Sequence, residues 1–221
     1  MPEYTLHGYF RSSCTARIRL ALNLKEISFD YVPVNLLKSE QLSDEHKALN
    51  PSATVPLLAR AGGSGSTPFK IGQSVAALEY LEEAHPDTTS LLPKDADTRA
   101  VVRALANIVA CDIQPVTNLR IIRRVKELGG NSEDWVRALT VDGLMAYEAT
   151  AKSCAGTYSV GDSVTVADVC LLPAVWNAQR FGVDLSKFPT VTRVSENLEK
   201  LPAVQKSSYF KQADTPEDLR A

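Results

Sequence analysis

The sequence predicts an α/β unit followed by an all-helical unit, α/β plus all-α in class. Three observations carry that prediction. Residues 1–86 alternate short β-branched or aromatic runs with stretches of helical spacing. The segment "PDTTSLLPKDADTR" then breaks the pattern with a cluster of turn formers. From Arg99 onward only helical periodicity recurs. The predicted division is therefore 1–86 and 95–221.

"EYTLHGYF" predicts the first strand from its aromatic and β-branched character. "TARIRLALNLK" follows as a helix, with Ile18, Leu20, Ala21, Leu22 and Leu24 at helical spacing and the arginines on another face. "SFDYVPVNL" reads as a second strand, and Pro33 suggests an edge position because proline cannot donate to a ladder. The polar "KSEQLSDEHKALN" predicts a short or irregular helix. "TVPLLAR" is a third strand, and "GGSGSTPFKIG" a glycine-rich hairpin leading into a fourth. "QSVAALEYLEEAHP" is an amphipathic helix with Val75, Leu78 and Leu81 along one side. In the second half, helices are predicted over about 99–128, 132–153, 165–181 and 190–200. No internal repeat is present.

Composition narrows the function classes. A hydrophobic content of 44% against 23% charged residues suits a chain that buries a real core. The formal net charge of −2 excludes general affinity for nucleic acid, which needs a basic surface. No run approaches ~20 uninterrupted apolar residues, so no membrane span is expected. The first residues carry Glu3 and His7 where a secretory signal would place basic and then apolar residues, so a cytoplasmic location is the expectation. Four cysteines, at 14, 111, 154 and 170, form no CxxC or other metal-ligand spacing; free thiols and no metal are expected.

Four motifs bear on chemistry. In "FRSSCTARIRLAL", Ser12, Ser13, Cys14 and Thr15 stand at a strand-to-helix junction. Hydroxyls and free N–H groups at a helix's positive end stabilise a thiolate, the protein's own or a bound one. The same residues also read as an ordinary cap, with Ser13 or Thr15 as the N-cap. In "ATVPLL", a proline after β-branched Val55 is compatible with either isomer; a cis bond would turn backbone groups outward to a ligand. In "GQSVAALEYLEE", Gln73 and Ser74 present donors at another helix start, suited to a carboxylate or simply to capping. Thr165 and Asp168 in "SVTVADVCLLP" form a capping box, read as structural.

Together and in this order, these residues resemble the glutathione transferases: a thioredoxin-like domain followed by a helical one. "SSCTARIRLAL" is similar to the zeta-class signature SSCxxRxRxAL. The resemblance continues through "VNLLKSEQLSDEHKALNPSATVPLL", "GQSVAALEYLEE", "IQPVTNLRI", "VGDSVTVADVCLLPAVWNAQRFGVDLSKFPT" and the tail "DTPEDLRA". It implies a glutathione-dependent cis–trans isomerisation of maleylacetoacetate to fumarylacetoacetate, as in phenylalanine and tyrosine breakdown. It also implies glutathione as cofactor, with its sulfur against Ser12, Ser13 and Cys14. The cysteinyl backbone would pair with Val55 before a cis Pro56, and the γ-glutamyl end would lie on Gln73 and Ser74, with Gln41 a further contact. Gln114, Asn118 and Leu119 would line the helical-domain wall. Arg180 would hold a carboxylate of the dianionic substrate, with Arg11 and Arg17 adding to the field. A homodimer is implied by the same resemblance. Cys14 reads as a neighbour or assistant to the glutathione thiolate, since a second thiolate would repel the first.

The chain departs from the family pattern at three places. Thr15-Ala16 replaces the usual serine-tryptophan, Arg120 follows the asparagine-leucine pair, and the 59–70 loop is longer than usual. Three other readings remain open: a zeta-like transferase or α-haloacid dehalogenase with another physiological substrate, a non-catalytic binding protein on the same fold, and a glutaredoxin-like oxidoreductase using Cys14.

Overall fold

Four short strands build the sheet that positions the candidate site: β1 (Tyr4–Gly8), β2 (Phe29–Pro33), β3 (Leu57–Arg60) and β4 (Phe69–Gly72), in the order β2-β1-β3-β4. The structure, a computed structural model, describes residues 2–62 and 68–220. β1 and β2 run parallel with Tyr4 opposite Phe29 and Gly8 opposite Pro33. A parallel pair needs a crossover, and α1 (Ser13–Leu24) supplies it. β3 pairs antiparallel with both β1 and β4. Pro33 ends an edge strand, as its missing N–H requires. Residues 63–67, at the centre of the predicted glycine-rich hairpin and long loop, lie outside the described residues.

α1 differs from the one-sided helix its periodicity suggested. Residues 15 to 22 are all buried, including Arg17 at 2% exposure and Arg19 at 0%. Its first turn sits hard against β1: a Cβ on Gly8 would stand 2.2 Å from Thr15 Cγ2. Only glycine permits that approach. At the other end Lys25 donates to Thr88 Oγ1 and the Thr89 carbonyl and pairs with Glu82 of α3 (Ser74–Ala84) at 2.6 Å. α3 buries Ala77, Leu78 and Leu81. The polar segment between β2 and β3 forms a 3-10 turn, Glu40–Leu42, and a short α2 (Asp44–Leu49).

The first helix predicted for the second half is several pieces. α4 (Ala96–Asn107) passes into a π-helical turn (Ile108–Ile113), then α5 (Gln114–Thr117) and α6 (Leu119–Glu127). Pro115 cannot donate to the ladder, the Thr117 hydroxyl donates to the Ile113 carbonyl at 2.8 Å, and Asn118 leaves helical dihedrals altogether. α7 (Ser132–Ala151) closes on this turn at Gly143, where a Cβ would stand 2.2 Å from Ile113 Cγ1. α8 (Val166–Arg180) and α9 (Pro189–Glu199) complete the unit. The run Ala96–Glu127 is, by length and composition, apolar enough to cross a bilayer, which the sequence reading did not anticipate. Its apolar residues Val102, Leu105, Ala106, Val109 and Ile113 are core residues of this unit.

The chain divides into Met1–Ser90 with Pro202–Ala221, and Leu91–Leu201. The tail, assigned from the sequence to the helical domain, thus groups with the first unit. Its α10 (Pro202–Ser207) packs on α1, and Asn23 donates to Ser207 Oγ at 2.8 Å.

Candidate active site

At the start of α1 the cap is Ser12, one residue earlier than the local reading placed it. Ser12 has extended dihedrals and its Oγ accepts from Thr15 N–H at 3.2 Å. That bond uses an oxygen lone pair and leaves the hydroxyl proton free to donate outward. Ser13 and Cys14 occupy the first two helical positions, and Ser12, Ser13 and Cys14 are all half-buried. Upstream, Ser12 N–H donates to the Tyr9 carbonyl at 3.0 Å, and Thr15 Oγ1 accepts from Tyr9 N–H at 3.4 Å. The guanidinium of Arg11 lies over the Phe10 ring, 5.4 Å from its centroid. The result is a helix end with one cap bond made and its other donors open among the described residues. Such an end favours a bound anion, and a thiolate above all where a hydroxyl can donate to it.

The second helix start of this unit, at α3, carries a backbone outlier. Gln73 is the N-cap at φ 64°, ψ 106°, a positive-φ conformation uncommon for a residue with a side chain and shared here with Glu26, Ser39 and Ala53. Its side chain is exposed, whereas Ser74 is buried. Ser74 Oγ accepts from Arg17 Nη1 at 3.0 Å, so this arginine's charge lies behind Ser74, inside the first unit. The Val55–Pro56 bond that leads into β3 is cis. The carbonyl just before it is fixed twice: Thr54 O accepts from Asn50 Nδ2 at 2.9 Å and lies 2.9 Å from His46 Nε2. Neither His46 nor Asn50 was legible as a site residue, because each sits in a polar segment whose pattern reveals no partner. On the 3-10 turn, Gln41 Oε1 is buried and has no hydrogen-bond partner among the described residues. A buried amide oxygen with no partner of its own fits a contact to a bound molecule.

In the second unit, Gln114 opens α5, and Asn118 caps α6 by accepting from Ile121 N–H at 3.1 Å. Asn118 also donates to the Pro115 carbonyl at 3.0 Å, so both ends of its amide are engaged within the chain. Leu119 is half-buried at the first position of α6. Arg180 ends α8, donates to Asn177 Oδ1 at 2.8 Å and stacks 4.5 Å over Phe181. It lines a cleft of about 390 Å³ together with Glu133, Arg137, Phe181 and Gly182. Arg137 was missed in the sequence. It pairs with Asp134 and lies 3.9 Å from Glu133, an i,i+4 pattern that reads as ordinary helix-surface charge.

Residues 11–84 match the glutathione S-transferase N-terminal domain, and residues 142–202 its C-terminal domain. The chain belongs to the glutathione S-transferase family. Within it, the relatives place the chain in the zeta class. It is 54% identical to the maleylacetoacetate isomerase maiA of Aspergillus fumigatus, over 99% of this chain and 96% of that one. A bacterial zeta-class maleyl pyruvate isomerase, solved in its holo form, superposes with a TM-score of 0.89 at 39% identity, covering 96% of this chain and 100% of that one. The maleylacetoacetate isomerase of Anaeromyxobacter dehalogenans superposes equally well, with a TM-score of 0.89 at 38% identity, covering 99% and 97%. That structure holds dicarboxyethyl glutathione and citrate in its active site. The expected fold, a thioredoxin-like domain and a helical domain, is the fold observed.

Proposed function

We propose that this protein is a glutathione-dependent isomerase that converts maleylacetoacetate to fumarylacetoacetate. The observation that carries the reading is the open start of α1, where Ser12 Oγ accepts the Thr15 N–H and keeps its own proton to donate. Bound glutathione supplies the nucleophile: its thiolate adds to the conjugated cis double bond, the resulting single bond rotates, and elimination returns the trans product and the free thiolate.

The chain's residues bind, orient and polarise. Ser12 donates to the sulfur and Ser13 and Cys14 border it, at the positive end of α1. The backbone of Val55, held ahead of Pro56 by the fixed Thr54 carbonyl, takes the cysteinyl amide. Gln73 and Ser74 take the γ-glutamyl end, where the buried Arg17 adds positive charge through Ser74. Gln41 uses its unpaired amide oxygen on the same cofactor. Gln114, Asn118 and Leu119 form the wall supplied by the helical unit. Arg180, in a cleft of about 390 Å³, holds a substrate carboxylate, and Arg11 adds to the attracting field. The working form is a cytoplasmic homodimer, and the two units divide the labour, the first binding glutathione and the second the dicarboxylate.

The test is isomerisation of maleylacetone by the purified protein with and without glutathione. Turnover that requires glutathione, without consuming it, is the expected result. A protein that binds glutathione yet leaves maleylacetone unchanged, while transferring the thiol to dichloroacetate or another electrophile, would overturn the isomerase reading in favour of a transferase or dehalogenase.

A further inference from the structure

The tail "DTPEDLRA" and the second arginine of the α1 signature have no part in the scheme above, yet both converge on one residue beside Ser12. Phe10 N–H donates to Asp214 Oδ2 at 2.9 Å, and the Phe10 carbonyl accepts from Arg19 Nη2 at 3.0 Å. Phe10 is thus gripped at both of its backbone polar groups, two residues before Ser12. The grip is anchored on either side. Arg19, fully buried on α1, also donates through Nε to the Ser207 carbonyl at 3.3 Å and lies 5.9 Å from the Tyr31 ring centroid. Asp214 Oδ2 accepts a second bond from Tyr31 O–H at 3.3 Å.

The tail is knit so that it presents Asp214 in a fixed place. Thr215 Oγ1 donates to the Tyr209 carbonyl at 2.6 Å and accepts from Gln212 N–H at 3.1 Å. Arg220 donates to the carbonyls of Thr215 at 3.0 Å and Ala213 at 3.1 Å. Burial pulls the Arg19 guanidinium down to about 10, with Tyr31 and Asp214 opposing that shift, so it remains a cation at neutral pH.

We propose that Asp214 of the C-terminal tail and Arg19 of α1 are positioning residues that clamp the Phe10 backbone and thereby fix the Ser12 hydroxyl at the thiol site. The clamp itself stands on the geometry of the free chain; its consequence for catalysis rests on the glutathione reading. Charge-assisted hydrogen bonds to a backbone segment restrict its motion more than neutral ones do. A misplacement of a donor by even ~1 Å can cost two orders of magnitude in rate.

The experiment compares the full chain with its Asp214→Ala and Asp214→Asn variants by two readouts. The first is amide hydrogen exchange without any ligand. Asp214→Ala is expected to speed exchange at Phe10 to Ser13 by about tenfold or more, with α8 unchanged, and Asp214→Asn, which keeps an acceptor, to restore much of the protection. The second is the fraction of bound glutathione ionised at neutral pH, read from thiolate absorbance, together with the split between kcat and KM. The expected result for Asp214→Ala is a lower ionised fraction and a kcat reduced by roughly ten- to a hundredfold, with the glutathione KM held by the untouched Gln73–Ser74 end. Unchanged exchange at Phe10 to Ser13 would overturn the clamp. Faster exchange with the wild-type ionised fraction and kcat would overturn its role in catalysis. A purely structural tail would instead lower the melting temperature and raise KM, leaving the ionised fraction and kcat at their wild-type values. If the wild-type chain itself ionises no bound glutathione, the isomerase scheme fails, and the exchange measurement still decides the clamp.

Discussion

Two helix starts in this protein use the same local chemistry to opposite ends. At α8, Asp168 is 0% exposed and its carboxylate is saturated: Oδ1 accepts from Ser159 N–H at 2.8 Å, and Oδ2 accepts from Thr165 N–H at 2.8 Å and Thr165 Oγ1–H at 2.9 Å. At α1, Ser12 Oγ accepts one N–H, and Ser12, Ser13 and Cys14 stay half-buried with no further side-chain hydrogen bond among the described residues. Both are caps in the sequence. The saturated one holds a core together, and the open one has donors to spare for the ligand proposed above. What separates structure from function here is unused hydrogen-bonding capacity, not residue type.

The sharpest way to break this contrast is Asp168→Ala. It strands three buried donors and should cost about 4 kcal/mol of stability, visible as a large drop in melting temperature, while the protein that remains folded keeps its turnover number. A variant that melts normally but loses kcat would reverse the assignment. Next is Ser12→Ala, expected to cost only about 1 kcal/mol as a lost cap but to lower kcat by about a hundredfold, as for removal of one preorganised donor. Melting and steady-state rates on the same preparation separate the two numbers.

Arg17→Met tests the other end of the cofactor. It removes the donor to Ser74 Oγ without touching α1's start, so the glutathione KM should rise about tenfold while kcat at saturation changes little. The smallest effect is expected for Cys14→Ala: with no hydrogen bond made by its thiol among the described residues, kcat should stay within about threefold of wild type. A loss as large as that of Ser12→Ala would make Cys14 a catalytic group and redraw the open cap around a protein thiol.

Much of this was legible in the sequence. The alternation of strand and helix, Pro33 at an edge, the Thr165–Asp168 box and the thiol motif all follow from patterns a few residues long. The signature added, by resemblance, the glutathione contacts proposed above. Other features were not legible. Periodicity put the α1 arginines on a face apart from the apolar residues, but α1 is enclosed on every side and both arginines are interior. One long helix was predicted over 99–128, and the structure breaks it at a π turn and again at Asn118, where Pro115 and the close packing of Gly143 on Ile113 override helix propensity. Arg137, which no sequence pattern singled out, lines the Arg180 cleft.

The sequence by itself determined the class of fold, the stretches in which helices begin and the kind of chemistry that a serine-serine-cysteine helix start can support. These depend on hydrogen bonds between residues three or four apart, and a pattern records them. Only the tertiary structure decided which cap stays open, that Arg17 serves Ser74, and that Asp214 reaches Phe10 from 204 positions away. Those pairings arise because burying a charge or a backbone group demands whichever partner the fold brings near, and no local spacing encodes which one that is.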